Sequence, residues 1–345
     1  MHYKRLGNTG LKVSEICLGT MTFGSHFFNL GEVNQESANR LVAQAFEAGV
    51  NFFDTADVYS FGESEEVLGR ALKHAGVRRD AVVIATKVRS PMSEAAMTGA
   101  GSVTDLNAAG LSRQHILSGC EASLRRLGVD HIDLYQVHGW DVATPMEETL
   151  RALEDLVRQG KALYLGCSNW AARQLAKALQ MAEGNGWHRF VSLQAYYSLA
   201  GRDLEHELLP LCREEGLAAL PWSPLSGGFL TGKFRRNQTA PAGTRRAGFD
   251  FPPVDPERAF DAVDALDAIA RETGKAIAQV ALAWLLAQPG VTSVIIGAKR
   301  EGQLKENLGA AEITLTPDQL ALLSSTTAPR TLYPQWMIER QNANR

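Results

Sequence analysis

The chain has 345 residues, of which 45% are hydrophobic and 21% are charged, and its formal net charge is −3. This composition excludes an intrinsically disordered chain, and the small negative charge argues against nucleic acid or an anionic membrane as the main partner. The N-terminus lacks the apolar core of a signal peptide, and no apolar run is long enough to span a bilayer. We therefore expect a cytoplasmic protein.

Short apolar runs alternate with amphipathic stretches eight times along the chain. Before them, segments 3–6 and 11–13, separated by Gly7-Asn8-Thr9-Gly10, predict a β-hairpin that plugs the bottom of the fold. The apolar runs lack two-residue alternation, which is typical of strands covered on both faces. The eight predicted strands are 16–19, 52–54, 82–87, 132–138, 162–167, 191–195, 218–222 and 291–296.

The segments between these strands have helical periodicity. Predicted helices are 34–48, 64–73, 112–127, 144–159, 171–183, 204–215 and 256–287, the last as two helices, with 317–325 as a final helix outside the repeat. Eight βα units in a row favour a closed α/β structure, the (β/α)8 TIM barrel, over an open doubly wound sheet. We expect residues 1–345 to form a single domain. The Gly-x-Gly-x-x-Gly motif of an open dinucleotide-binding sheet is absent, so any nucleotide must be bound in another way.

Three segments fall outside the repeat, namely 89–110, 223–255 and 326–345. Loops of this length in a compact domain are usually functional or disordered. The last segment carries Tyr333 and Trp336 without helical or strand periodicity. We expect it to be a flap that folds over the barrel mouth and selects substrate. The alternative is an apolar patch on the barrel wall or at a subunit contact.

The four cysteines are widely spaced and form no Cys-x-x-Cys pair. They are Cys17, Cys120, Cys167 and Cys212. We interpret them as buried structural thiols in a reducing compartment. A zinc site would need clustered cysteine and histidine residues, so we predict no metal.

Ionisable side chains follow three successive predicted strands. Asp54 ends one strand, with Tyr59 on the loop beyond it, while Lys87 and His138 end the next two strands. In a parallel barrel these ends meet at the face that carries chemistry. Each residue alone has an ordinary structural explanation in a turn or in packing, except that a lysine ending a buried strand needs a partner.

As a unit these residues can act as a general acid for a carbonyl oxygen. A phenol with a pKa near 10 is a poor proton donor at neutral pH, and an adjacent ammonium lowers that pKa. A carboxylate paired with the lysine keeps the buried ammonium charged. A histidine opposite can hydrogen-bond the reacting oxygen and fix its position.

The sequence around these residues resembles the aldo-keto reductase superfamily over residues 19–310. The matching motifs are Phe53-Asp54-Thr55-Ala56 with Tyr59, Gly62-Glu63-Ser64-Glu65, Thr86-Lys87, and Gln136-Val137-His138-Gly139-Trp140-Asp141. The resemblance implies that Tyr59 is the acid, Lys87 modulates its pKa, Asp54 pairs with the lysine, and His138 orients the carbonyl.

The same resemblance implies a binding site for NADPH or NADP⁺. Ser168, Asn169 and Gln194 would bind the nicotinamide carboxamide, since they offer both donors and acceptors. Trp222 would stack on the nicotinamide; tryptophan here is similar to the branch that includes potassium-channel β-subunits. The loop after this residue resembles a pyrophosphate-binding belt, in which glycines permit close backbone approach and a lysine supplies charge. Its predicted contacts are Ser223, Pro224, Leu225, Gly227 and Lys233.

The segment after the last strand would hold the adenosine end of the cofactor. Lys299 and Arg300, near a helix start, would contact the 2′-phosphate. The remaining implied cofactor contacts are Gly19, Thr20, Met21, Asp54, Gly297, Gln303, Glu306 and Asn307. For Ser168 and Asn169 a helix N-cap is an equally good explanation, and for Lys299 and Arg300 the alternative is a solvated charge pair.

We therefore predict NADPH-dependent, reversible reduction of an aldehyde or ketone. The pocket should be framed by apolar side chains, which favours a rather apolar small-molecule substrate. Besides Tyr59 and His138, these are Met21, Phe23, Trp140, Trp170 and Trp336. The alternative function is a nicotinamide-binding, redox-sensing regulatory subunit like the channel β-subunits, although those relatives tend to carry asparagine at the position of His138. The sequence leaves a monomer and a homo-oligomer both open.

Overall fold

The computed structural model describes residues 1–25, 33–238, 244, 246 and 249–343. Their backbone forms a barrel with helices around it and a small hairpin at one end. The strands are β1 (Tyr3–Arg5), β2 (Lys12–Ser14), β3 (Ile16–Gly19), β4 (Phe52–Asp54), β5 (Val83–Val88), β6 (Ile132–Val137), β7 (Ala162–Ser168), β8 (Phe190–Tyr196), β9 (Ala218–Trp222) and β10 (Val294–Ile296).

The barrel sheet contains eight parallel strands in the order β10-β3-β4-β5-β6-β7-β8-β9. It closes between its two outer members, where the Ala219 amide donates to the Gly290 carbonyl at 3.3 Å and the Thr292 amide donates to the Ala219 carbonyl at 2.9 Å. Closure leaves no edge strand, and the continuous apolar runs are buried on both faces. The predicted (β/α)8 barrel is confirmed. The last strand begins at Val294 instead of residue 291, because the preceding residues form only this closing bridge.

Helices fill the connections between the strands. They are α1 (Gln35–Glu47), α2 (Glu63–His74), α3 (Glu94–Met97), α4 (Arg113–Leu127), α5 (Met146–Arg158), α6 (Ala172–Gly184), α7 (Leu208–Glu214), α8 (Pro256–Thr273), α9 (Ile277–Leu286), α10 (Glu301–Leu308), α11 (Pro317–Thr326) and α12 (Gln335–Asn342). The predicted division of 256–287 into two helices is confirmed, with Gly274 in the left-handed conformation between them. Because each helix returns the chain to the start of the next strand, all strand ends that could carry chemistry lie at one mouth.

The hairpin of β1 and β2 closes the opposite end of the barrel, as predicted. Leu6 and Val13 are fully buried against inward-facing residues of the barrel strands. The turn docks closely, since the Asn8 amide donates to the Gly216 carbonyl at 2.8 Å. Gly7 has a φ of +59°, and a Cβ there would lie 2.5 Å from the Val191 carbonyl oxygen, so a larger residue would displace the plug.

The cysteines and the helices bear on two further predictions. All four cysteines are free and buried, which confirms the prediction of buried structural thiols. No helix within the described residues is long and apolar enough to cross a membrane. A cytoplasmic location stays a prediction.

The C-terminal tail differs from the sequence prediction. Residues beyond Pro334 form the helix α12, although the sequence lacks clear helical periodicity there. This helix has no buried residue, and Tyr333 and Trp336 are 75% and 44% exposed. The Gln335 side-chain amide donates a hydrogen bond from the tail to the His206 carbonyl at 3.4 Å. The prediction failed because a short exposed helix needs no apolar stripe.

The loosely attached tail generates a prediction about stability. Deletion of residues 328–345 should lower the melting temperature by no more than about 3 °C, because little apolar surface is removed and about 1 kcal/mol shifts a large domain by only a few degrees. Calorimetry of the full-length and truncated proteins measures this difference.

A matched control tests a contact to the residues just before the deleted segment. The buried Arg202 pairs with Glu205 at 2.6 Å and donates to the Ser324 carbonyl at the end of α11. Arg202→Met should lower the melting temperature clearly more than the deletion, since breaking a buried ion pair costs about 3–5 kcal/mol. A truncated protein that melts as low as this variant would show that the tail holds the barrel together.

Candidate active site

A buried ion pair lies at the centre of the barrel mouth. Lys87 near the end of β5 is 0% exposed, and its Nζ lies 2.6 Å from Oδ2 of Asp54 at the end of β4. The same ammonium donates to the Thr55 carbonyl at 2.7 Å. Burial alone would lower the pKa of Lys87, but attraction to Asp54 and Tyr59 outweighs burial, and the pKa is raised. The lysine therefore stays charged, as the sequence predicts.

Tyr59 reaches this pair from the turn after β4. Its Oη lies 3.5 Å from the Lys87 ammonium, which also lies 5.0 Å from the centre of its ring. The turn is held by the Asp57 amide, which donates to the Lys87 carbonyl at 3.2 Å, and by the Ser60 hydroxyl, which donates to the Phe23 carbonyl at 3.1 Å. The tyrosine is thus fixed relative to the strand that carries the lysine.

The pKa of Tyr59 shifts in the direction opposite to the sequence prediction. The sequence predicts a lowered pKa from the neighbouring ammonium. Here burial of the phenol is the largest effect, and it raises the pKa, while Lys87 opposes it and Asp54 adds to it. Because Asp54 cancels much of the lysine charge, the ammonium does not overcome burial. The phenol is therefore protonated at neutral pH.

His138 stands on the other side of the phenol. Its ring centre is 5.7 Å from that of Tyr59, in an edge-on arrangement. Burial, followed by the charges of Lys87 and Arg89, holds the pKa of His138 well below its usual value. Nδ1 is buried without a hydrogen-bond partner among the described residues. The imidazole is therefore neutral, and the predicted four-residue constellation is assembled at one place.

Gln136, which belongs to the histidine motif, is a further member of the site that the sequence did not predict. Its side chain is fully buried, and its Nε2 donates to Asp54 Oδ1 at 3.1 Å. Gln194 on β8 donates to the same oxygen at 2.9 Å and to Gln136 Oε1 at 3.4 Å. With Lys87 on Oδ2, both oxygens of Asp54 are held. The alternation Gln136, Val137, His138 could have shown that Gln136 faces the same side as the histidine.

Glu65 in α2 supports the strand that carries Lys87. It is fully buried, accepts from the Thr86 hydroxyl at 2.5 Å and pairs with Arg126 at 2.6 Å. Gly62, at the start of this helix, has a φ of +97°, and a Cβ there would lie 2.6 Å from the Arg126 side chain. The Gly62-Glu63-Ser64-Glu65 motif therefore locks α2 against the strand that carries Lys87.

The residues predicted to hold a nicotinamide carboxamide lie beside these groups. Asn169 has a φ of +56°, and its side chain bridges the His138 carbonyl and the Trp222 indole, each at 3.1 Å. The Ser168 hydroxyl is buried and has no partner among the described residues. Oε1 of Gln194 accepts no hydrogen bond from that part of the chain. One unused hydroxyl and one unused amide oxygen are what a carboxamide ligand needs.

Trp222 is covered in a way that the sequence did not predict. Phe251 stacks on its ring at 5.6 Å with an angle of 8° between the planes, and Tyr196 lies 5.2 Å away. A second ring could stack on the Phe251 face only if Phe251 moved. The long loop after β9 therefore reaches back over the residue that begins it.

The first part of that loop has the tight turns expected of a backbone that approaches a ligand. Ser223, Ser226 and Gly227 all have positive φ. Pro224 and Leu225 lie between them, and Lys233 beyond them is exposed. A Cβ at Gly227 would lie 2.6 Å from the Phe251 carbonyl oxygen, so the glycine is required by packing.

The predicted adenosine segment surrounds the start of α10. Lys299 and Arg300 are exposed, and the Lys299 amide donates to Gln303 Oε1 at 3.1 Å. The Asn307 side-chain amide donates to the Gly297 carbonyl at 3.5 Å. Glu306 is also exposed. The segment thus presents two basic side chains where a helix N-terminus begins.

The strand-end and rim residues differ in how much surface they offer. Gly19 is confined, since a Cβ there would lie 2.7 Å from Ile295, and Thr20 is buried against Asp54, whereas Met21 is partly exposed. Phe23 is 0% exposed.

Trp140 is partly exposed and packs edge-on against Trp170 at 5.0 Å, while Trp170 is only 3% exposed. Trp336 contacts Tyr333, with ring centres 6.0 Å apart. Phe23 and Trp170 support the rim from within, and substrate contact by Phe23, Trp170 and Trp336 stays a prediction.

Comparison with known proteins identifies the family. The model of the aldo/keto reductase family matches residues 15–327. This chain belongs to the aldo/keto reductase family. A versiconal hemiacetal acetate reductase of Aspergillus parasiticus is 38% identical over 97% of this chain and 99% of its own length. An uncharacterized oxidoreductase of Bacillus subtilis is 38% identical over 94% of this chain and 95% of its own length.

The relatives also include a different kind of protein. A protein of Oryza sativa named as a probable voltage-gated potassium channel subunit beta is 38% identical over 92% of this chain and 94% of its own length. Family membership makes this chain an oxidoreductase of small carbonyl compounds, in a family that generally uses nicotinamide cofactors.

Proposed function

We propose that this aldo/keto reductase reduces an aldehyde or ketone to the alcohol with NADPH, reversibly. The observation that carries the proposal is the buried ammonium of Lys87, 2.6 Å from Asp54 and 3.5 Å from the Tyr59 hydroxyl. A charged group buried this deeply beside a phenol is expected where a proton is transferred. A bound nicotinamide supplies the hydride that the carbonyl carbon receives.

Tyr59 is the proton donor in this proposal. Burial keeps the phenol protonated until the carbonyl oxygen develops negative charge. The proton then passes from Oη to that oxygen, and the phenolate that remains is stabilised by Lys87. Asp54 keeps the lysine charged throughout, and solvent returns the proton to Tyr59 after the alcohol leaves.

His138 positions the carbonyl. Its pKa is lowered, so a neutral imidazole faces Tyr59, and its Nδ1 is buried. Nε2 is then left to donate a hydrogen bond to the carbonyl oxygen. The oxygen is thereby held between the imidazole and the phenol, which favours transfer of the proton along one direction.

Two of the groups that would hold the cofactor have unused hydrogen-bonding capacity among the described residues. Ser168 and Gln194 offer a buried hydroxyl and an amide oxygen to the carboxamide. Because Gln194 also donates to Asp54, we infer that cofactor binding is coupled to the ion pair. Lys299 and Arg300 would hold the 2′-phosphate.

The first prediction concerns Tyr59→Phe. Removal of the phenolic hydroxyl should lower kcat for carbonyl reduction by at least about 10²–10⁴-fold, the usual contribution of a general acid, while the Kd for NADPH changes little. Steady-state kinetics and fluorescence titration measure the two quantities.

The matched control is Tyr135→Phe. Tyr135 is a fully buried tyrosine, and among the described residues its hydroxyl donates a hydrogen bond to the Ile116 carbonyl, at 3.4 Å, on the outside of the barrel strand. This variant should keep kcat near that of the wild type. A Tyr59→Phe protein that retains more than about a tenth of the wild-type kcat would remove Tyr59 from its assigned role.

The second prediction concerns the choice of cofactor. Wild-type protein should bind NADPH about tenfold or more tightly than NADH, because even one charge-assisted bond to the 2′-phosphate is worth that factor. Replacement of Lys299 and Arg300 by alanine should weaken NADPH and leave NADH almost unchanged, as measured by isothermal titration calorimetry.

Lys305→Ala is the control for general electrostatics, since Lys305 is an exposed cation on the same helix. It should leave the ratio of the two dissociation constants unchanged. Equal dissociation constants for NADPH and NADH in the wild type would contradict the assignment of Lys299 and Arg300.

The tail is proposed to select substrate. Tyr333 and Trp336 pack together and expose apolar surface near the loop that follows β8. Besides its small effect on melting, deletion of residues 328–345 should change kcat/KM for bulky carbonyls more than for small ones. Equal loss for all substrates would point to a general structural role.

A regulatory subunit is the second candidate, and it is favoured by the relatives named as potassium channel β subunits. His138 and the complete acid constellation support an enzyme instead. A panel of aldehydes and ketones assayed for NADPH oxidation separates the two, since a purely regulatory subunit would bind NADPH and turn over none of them.

A further inference from the structure

Arg89 lies directly beside His138 at the barrel mouth. In the register of β5 and β6, Lys87 is paired with Gln136 and Val88 with Val137, so residues 89 and 138 follow as neighbours. Lys87 and Gln136 both point into the barrel, where each bonds Asp54. Side chains alternate along a strand, so Arg89 and His138 extend from the same inner side.

The stem of Arg89 is held in place. Its Nε donates to the Trp140 carbonyl at 3.0 Å, and its own carbonyl accepts from the Gly110 amide at 2.8 Å. A Cβ at Gly139 would lie 3.3 Å from Cδ of Arg89, so the side chain runs closely along this loop. The guanidinium is therefore presented at the rim in a defined orientation, next to the backbone of Trp140.

Arg89 forms no direct ion pair with the described residues. Most other partly or fully buried arginines in that part of the chain pair with carboxylates, as Arg79 does with Asp133 and Arg126 with Glu65, although the partly buried Arg258 forms no such pair there. Arg89 forms no such ion pair, and its two terminal nitrogens make no hydrogen bond to the described residues. It is only partly exposed, so its charge is incompletely hydrated.

Asp141 interacts electrostatically with Arg89, but its carboxylate oxygens accept hydrogen bonds from other groups. Asp141 has a lowered pKa because hydrogen bonds from Thr144, Ala143 and Leu111, with a contribution from Arg89, outweigh the effect of burial. These donors take both of its oxygens, at 2.6–2.9 Å. These neutral donors do not cancel the charge of Asp141, so Arg89 still interacts electrostatically with this carboxylate, and it also contributes to the lowered pKa of His138.

We propose that the guanidinium of Arg89 binds an anionic substituent of the substrate, so that the enzyme prefers aldehydes or ketones that carry a carboxylate or phosphate. A guanidinium offers a planar pair of donors that matches an oxyanion. Its position beside His138 lets it bind an anionic group on the same molecule as the carbonyl group, while Trp140 contacts the apolar part of that molecule. The inference rests on the proposed carbonyl reduction and names its substrate class.

Matched substrate pairs test the inference on the wild-type enzyme. The carboxylate arm compares 4-carboxybenzaldehyde with benzaldehyde and with the neutral methyl 4-formylbenzoate. The phosphate arm compares glyceraldehyde 3-phosphate with glyceraldehyde. In at least one arm, kcat/KM should be about tenfold or more higher for the anionic member, mainly through a lower KM. The two arms show which anion is preferred.

Variants at Arg89 connect this preference to the side chain. Arg89→Gln should lower kcat/KM for the anionic member at least about tenfold more than for its neutral partner. Arg89→Lys, which keeps the charge but loses the planar fork, should restore part of the preference. Arg125→Gln is the control, because Arg125 is an exposed cation in the last turn of α4, whose C-terminal end leads to the opposite face of the barrel; it should leave the preference intact.

Three outcomes would overturn the inference. The first is a wild type that reduces neutral carbonyls but shows no anionic preference in either arm, which leaves the proposed function standing. The second is an Arg89→Gln protein that keeps the preference, which would assign it to another group. The third is a wild type that reduces none of the tested carbonyls with NADPH, which would remove the proposed function together with the inference.

Discussion

The ion pair between Lys87 and Asp54 is the constraint on which the site depends. An ammonium that is 0% exposed is strongly destabilising unless it is paired and hydrogen-bonded. Asp54 supplies the pairing, and Gln136 and Gln194 hold the other carboxylate oxygen. These four groups come from four different strands, so all of them are satisfied together only when the barrel has brought β8 to the strands that carry the other three. The fold and the chemistry are therefore coupled through one carboxylate.

Around this pair the mouth has an uneven distribution of charge. The charge of Asp54 compensates that of Lys87, and His138 is neutral. The groups around the reacting oxygen therefore carry little net charge before the hydride is transferred. Arg89 adds a positive charge that forms no direct ion pair with the described residues. An electron-rich or anionic ligand is thereby favoured at the rim, while the groups beneath it remain able to transfer a proton. The hairpin at the other end closes the barrel and packs against its inward-facing residues.

The fold and the four ionisable residues could be predicted from sequence because strand runs and strand-end residues are local signals. What could not be predicted depends on contacts distant in sequence. Gln136 has its role only because strand register brings it to Asp54. The direction of the Tyr59 pKa depends on burial outweighing the lysine, and the stacking of Phe251 on Trp222 depends on the path of a long loop. The tail helix was missed because an exposed helix carries no buried stripe.

The most direct test of the account is a double-mutant comparison of the ion pair by urea unfolding and carbonyl reduction. Lys87→Met alone should lower the free energy of unfolding by about 3–5 kcal/mol, because it leaves a buried carboxylate without its counter-ion. Combining it with Asp54→Asn should recover most of that loss, since a neutral pair no longer needs charge compensation. Carbonyl reduction should stay absent in both variants. A double variant as unstable as Lys87→Met would contradict the claim that each buried charge requires the other, and one that regains reductase activity would contradict the claim that the pair serves proton transfer.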